Sequence, residues 1–206
     1  MSGLDRFLRT VVIHTGSEEG STSVPSTPGQ LVMMRILVEE LRAIGLEDVT
    51  IDEHGYVMAT VPATVTHDVP VIGFVAHVDT SPEMPGTDVR PLVHPGYDGR
   101  DLVLPDDPSV VLRASENHEL AAQRGNDIVT ASGLTLLGAD DKAGVAEIVT
   151  AAEYLIRHPA IPHGPVRIAF TPDEEIGRGA RQFDLTRFGA HCGYTMDGGR
   201  RGGVET

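Results

Sequence analysis

Tryptophan is absent from this 206-residue chain, cysteine occurs once, and aromatic residues make up only 4%. With so few large rings, the core must rest on Val, Ile, Leu and Ala. The lone Cys192 excludes an internal disulfide and fits a reducing compartment, so a cytoplasmic location is expected. Basic residues are scarce too: 16 against 30 acidic ones give a formal net charge of −14. That balance repels phosphate backbones, which argues against nucleic acid as the main partner. It favours cations, although a solvated acidic surface accounts for most of the excess. No apolar run approaches the ~18 residues of a membrane span. Residues 1–10, with Asp5, Arg6 and Arg9, hold no apolar stretch of signal-peptide length.

What is present is ordered hydrophobic periodicity. Leu4, Phe7, Leu8, Val11 and Val12 recur at helical spacing. After a polar loop over 16–29, Thr27-Pro28-Gly29-Gln30 reads as a helix start, with Thr27 as N-cap, Pro28 in the first turn and Gln30 closing a capping box. Leu31, Met34, Leu37, Val38 and Leu41 continue that helix to a stop at Gly45. Residues 49–52 and 56–61 read as strands joined by a turn at His54-Gly55, and 69–75 as a strand covered on both faces. Residues 81–126 carry little pattern beyond a helical stretch at 115–123, and their length suggests a functional surface loop. Val145, Ile148, Val149, Ala152, Leu155 and Ile156 form a helical stripe ended by His158-Pro159, followed by strands at 166–170 and around 194–196. Helices alternating with apolar strands indicate an α/β layered domain with a mainly parallel central sheet flanked by helices.

Four polar clusters fall just past predicted strands, where open α/β sheets bind ligands. His77-Val78-Asp79 places an imidazole and a carboxylate on one side of extended chain, where the acid can hold the second ring nitrogen of a metal-bound histidine. Asp140-Asp141 opens a helix, either as an N-cap and first-turn acid or with Asp140 shared between two cations. Asp173-Glu174-Glu175 sets three acids side by side, which repel one another unless cations or protons offset them. Glu174 and Glu175 point in different directions, so one can bind metal while the other acts as general base. Asp197 ends a strand before Gly198-Gly199. One imidazole among carboxylates suits Zn²⁺, with Co²⁺ or Mn²⁺ as substitutes.

In order and spacing, His77-Val78-Asp79-Thr80-Ser81-Pro82, then Thr135-Leu136-Leu137-Gly138-Ala139-Asp140-Asp141-Lys142-Ala143-Gly144, then Thr171-Pro172-Asp173-Glu174-Glu175-Ile176-Gly177 resemble the tripeptide aminopeptidases of the M20 zinc metallopeptidase family. Val24-Pro25-Ser26-Thr27 and Tyr194-Thr195-Met196-Asp197-Gly198-Gly199 fit the same pattern, so the resemblance spans nearly the whole chain. It implies a zinc-exopeptidase-like fold and two zinc ions. His77 and Asp197 would hold one ion, Glu175 the other, and Asp140 would bridge them. Glu174 would be the general base, Asp79 would orient His77, and the Asp140–Asp141 peptide bond would be cis.

The resemblance also implies a parent about twice as long, with a lid and dimerisation domain and a returning segment that supplies a last histidine to the second zinc. Residues 1–206 are thus expected to be the N-terminal part of the catalytic domain, incomplete and of little activity. Residues 200–203 depart from the family's continuation. The substrate class is small peptides, and the parent is expected to be a homodimer. Two rivals stand beside this reading: another M20 amidohydrolase, such as a dipeptidase or deacylase, and a non-catalytic metal- or peptide-binding remnant.

Overall fold

The computed structural model describes residues 1–198 together with Gly203 and Val204. Gly199 and residues 200–202, which figured in the sequence patterns above, lie outside the described residues. In chain order the elements are α1 (Gly3–Val11), α2 (Pro28–Ile44), β1 (Glu47–Ile51), β2 (Val57–Val61), β3 (Ile72–His77), β4 (Leu92–His94), β5 (Leu102–Val103), β6 (Val111–Leu112), α3 (His118–Ala121), β7 (Ile128–Thr130), α4 (Ala139–Arg157), β8 (Val166–Thr171), α5 (Leu185–Phe188) and β9 (Cys192–Thr195).

Five strands form the central sheet in the order β1-β2-β8-β3-β9. β3 runs parallel to both β8 and β9, while β2 runs antiparallel to β8 and to β1. Four of the five strands therefore point one way, and their carboxyl ends open on one side. Alternating side chains divide the two faces. Val57, Ala59, Val61, Ala76, Ile168 and Phe170 pack with α2 (Met33, Met34, Leu37, Leu41) and α4 (Val145, Val149, Ala152) in the main core. Met58 and Ala169 face the other way, against Phe188 of α5. The result is an α/β domain with a central sheet flanked by helices.

Local chemistry departs from the sequence pattern at three places. α1 forms as its periodicity predicts, but it buries Arg6, Thr10 and Val11, while Leu4 and Val12 stay exposed. The face is rotated because Arg6 finds acceptors inside: Nε meets Glu40 at 2.8 Å, Nη2 meets Glu153 at 2.7 Å and Nη1 meets Thr150 Oγ1 at 2.6 Å. α2 starts and stops as predicted, with Gly45 left-handed at φ 101, a conformation that glycine adopts at little cost. The capping box does not form there. The Thr27 hydroxyl donates to Gly16 O, and Gln30 is drawn into the core. The 81–126 stretch holds more structure than its pattern suggests. β4 pairs with β7, β5 pairs with β6, and the helix is confined to four residues. Strands of two or three residues are too short to show a period.

Candidate metal centre

The carboxyl ends of β3, β8 and β9 lie side by side, with His77 in register with Thr171 and Met196 N bonded to Val75 O. The start of α4 approaches the same edge. These elements bring His77, Asp79, Asp140, Asp141, Glu174, Glu175 and Asp197 together. Among the described residues, two groups could each hold a metal ion: His77, Asp140 and Glu175, and His77, Asp141 and Asp197. Both draw on the same imidazole.

His77 is 3% exposed. Its Nδ1 lies 3.0 Å from Asp79 O and 3.3 Å from Asp79 Oδ1, so that nitrogen donates to Asp79. Nε2 then points at Asp140 Oδ1 (3.1 Å), Glu174 Oε2 (3.9 Å) and Asp197 Oδ2 (3.9 Å). Asp79 is fully buried and also takes the backbone amides of Glu174 (2.9 Å) and Glu175 (3.1 Å) on its two oxygens. One carboxylate thus fixes both the ring and the turn that faces it.

The two acids that open α4 divide their roles. Gly138, at φ 75, stands at the helix start, and neither Asp140 nor Asp141 has helical backbone angles. The peptide bond between them is cis, as the family resemblance implies. Asp141 is buried and accepts from Gly144 N (3.1 Å) and His77 N (3.2 Å), so it caps the regular helix that follows. Asp140 is left free to face the cluster. The next residue, Lys142, is 2% exposed and donates to Ile13 O at 2.7 Å; burial lowers its ammonium to about 8.

The electrostatics follow from crowding. Burial raises Asp141 to about 8. Burial also raises Asp140, helped by the facing charge of Asp197, and raises Glu175, helped by Asp140. Burial alone would lower His77, but the hydrogen bond it donates to Asp79 and then the charges of Asp79, Asp141 and Asp197 lift it to about 10. Among the described residues, the imidazole of His77 is the group that pairs with these acids. The donor set, an imidazole with several carboxylates around its Nε2, is one that divalent transition metals accept. His191 bonds Val71 N at the opposite end of the sheet, away from this edge.

Residues 136–196 match the profile of Peptidase family M20/M25/M40. Along 98% of its length the chain is 54% identical to peptidase T of Geobacillus kaustophilus. Over residues 136–196 the chain is similar to the M20 peptidases. It spans about half the length of the curated relatives it matches, 49% in that case. Among solved structures, a tripeptidase from Staphylococcus aureus superposes with a TM-score of 0.67 at 25% identity, covering 96% of this chain and 43% of that one. The aminopeptidase PepT of Bacillus cereus gives 0.66 at 25% identity, covering 95% and 43%.

The sequence motifs point to six of the seven residues in this cluster: His77, Asp79, Asp140, Glu174, Glu175 and Asp197. For Asp141 the sequence offers only the reading of an acid at the helix start, and the structure agrees, since it accepts from Gly144 N. Asp173, the first acid of its run, turns away from the cluster: its side chain is buried against Ser26 and Gln30.

Proposed function

We propose that this chain carries the metal-binding part of a zinc-dependent aminopeptidase that releases the N-terminal residue of tripeptides, with residues 1–206 forming one part of its catalytic domain. The observation that carries the reading is the convergence of Asp140, Glu174 and Asp197 on Nε2 of one buried histidine whose other nitrogen is held by Asp79. His77, Asp140, Glu175 and Asp197 would hold the metal, with Zn²⁺ favoured and Co²⁺ or Mn²⁺ acceptable. When bound, such an ion lowers the pKa of a water and polarises a carbonyl oxygen.

The chain's own residues supply the rest. Glu174, with its side chain about half exposed at 53%, has room to take a proton from a water and return it to the leaving amine. Asp79 keeps the proton on His77 Nδ1, so that Nε2 presents its lone pair to an ion. Turnover by this chain alone is expected to be slow, because both metal groups among the described residues use the same histidine. The single cysteine fits a reducing compartment such as the cytoplasm. No helix among the described residues is long and apolar enough to cross a membrane.

The test is long incubation of the zinc-loaded chain with tripeptides, dipeptides and N-acyl amino acids, read by mass spectrometry. The expected result is metal-dependent loss of the N-terminal residue from tripeptides, abolished in Glu174→Gln while bound metal stays within about twofold. Equal rates with and without metal, or in Glu174→Gln, would contradict the proposal.

A further inference from the structure

The turn bearing Glu174 and Glu175 is gripped by a loop that lies far away in sequence. Asp173 sits at φ 57, an unfavourable conformation for a residue with a side chain unless its surroundings hold it there. Its carboxylate is 1% exposed and takes four hydrogen bonds. Ser26 N donates to Oδ1 and Oδ2 at 3.1 and 2.8 Å, Ser26 Oγ donates at 2.5 Å, and Gln30 Nε2 donates at 2.7 Å. Gln30 also accepts from Asp173 N through Oε1 at 3.1 Å. It therefore grips the backbone and the side chain of the same residue. At the far end of the turn, Arg178 donates to Ser21 O and Glu19 O, each at 2.8 Å, while its own amide closes onto Asp173 O. The inner side of the turn rests on Asp79.

Gln30 is fully buried in the first turn of α2, yet that helix does not use it as a cap. A polar side chain buried at this cost needs a return elsewhere, and its partners all belong to the Glu174–Glu175 turn or to the loop that braces it. We infer that Ser26, Gln30 and Asp173 are positioning residues that set where Glu175 meets His77 and Asp140 and where Glu174 faces water. This rests on the reading of Glu175 as a ligand and Glu174 as a base. Displacing an outer group that orients a ligand typically costs about 10- to 100-fold in metal affinity.

Gln30→Glu tests this because it keeps the shape and the Oε1 acceptor but turns the donor facing Asp173 into a second acceptor. Adding Asp173→Asn restores a donor–acceptor pair, since the new amide can donate to position 30 while its oxygen still accepts from Ser26. The full chain is titrated with Co²⁺ and followed by its visible absorption, and amide hydrogen exchange is read without metal. Glu175→Ala defines the Glu175-dependent binding.

Gln30→Glu is expected to weaken that binding about 10-fold or more and to change the cobalt spectrum. It should also speed exchange at the Glu174 and Glu175 amides while leaving α4 unchanged. The double variant should recover both readouts. Wild-type affinity and exchange in Gln30→Glu, or a double variant no better than the single one, would overturn the inference. Should Glu175→Ala bind Co²⁺ as the wild type does, the ligand reading fails, and exchange at the two amides decides the positioning claim: a local, rescued increase supports it and no change refutes it. If Gln30→Glu does not fold, Arg178→Ala cuts the outer anchor and should shift both readouts in the same direction by a smaller factor; no shift would count against the inference.

Discussion

Helix α4 touches two clusters of charge built around a buried cation or imidazole, and they are balanced differently. Along its length it meets Arg6, whose guanidinium has an acceptor at every nitrogen: Glu40, Glu153 and the Thr150 hydroxyl. Cation and anions are matched there, and Glu153 also takes Arg157 and the N-terminal ammonium. At its start α4 meets His77, where one imidazole is set among Asp79, Asp140, Asp141, Glu174 and Asp197. The first arrangement completes itself. The second carries an excess of one sign, which only protons or cations can offset. A matched buried cluster serves the fold, and an unmatched one points to a ligand of opposite charge.

The largest expected difference is in metal binding. Asp140→Ala should weaken divalent-metal binding by about 100-fold or more, since it removes a group facing His77 Nε2. Arg6→Ala should leave metal affinity within about twofold, as read by cobalt titration. The order reverses for stability. Arg6→Ala leaves Glu40 and Glu153 without their cation and should cost about 3 kcal/mol in urea unfolding.

The pH dependence should split the clusters again. The folded chain keeps a proton on Asp141 up to about 8 and on His77 up to about 10, against unfolded values of 3.8 and 6.5. In both cases the folded state binds more protons than the unfolded state, so metal-free stability falls as pH rises through those windows. Glu153 behaves oppositely. The Arg6 hydrogen bond holds it below its ordinary 4.5, so its contribution is present above that value and lost in acid. Urea midpoints of metal-free protein should therefore decline with rising pH, and saturating metal should flatten the decline at alkaline pH. The smallest effect is expected for Arg157→Ala. That side chain is 66% exposed, so its pairing with Glu153 should contribute about 0.5 kcal/mol or less.

The same comparison shows what could be read from sequence. α2 and α4 are long enough to display a helical period, so both were legible with their boundaries, and strands β2, β3 and β8 stood out as apolar runs. The short strands of the 92–130 region have no room for a period. Arg6 was invisible as a core residue because its burial depends on Glu40 and Glu153, far away in sequence. At the centre, His77, Asp79, Asp140, Glu174, Glu175 and Asp197 were legible because each acid sits at the end of a recognisable strand or the start of a helix. Gln30 reads as a local cap in sequence, because nothing local shows that its side chain also bonds Asp173, 143 residues away.

Calorimetric titration of the 206-residue chain with Zn²⁺, run beside Asp140→Ala and Arg6→Ala, bears most directly on the unmatched cluster. Saturable binding that Asp140→Ala loses and Arg6→Ala keeps is the predicted result. An absence of binding in the wild type, or binding that survives Asp140→Ala undiminished, would contradict the assignment of this cluster as a metal centre.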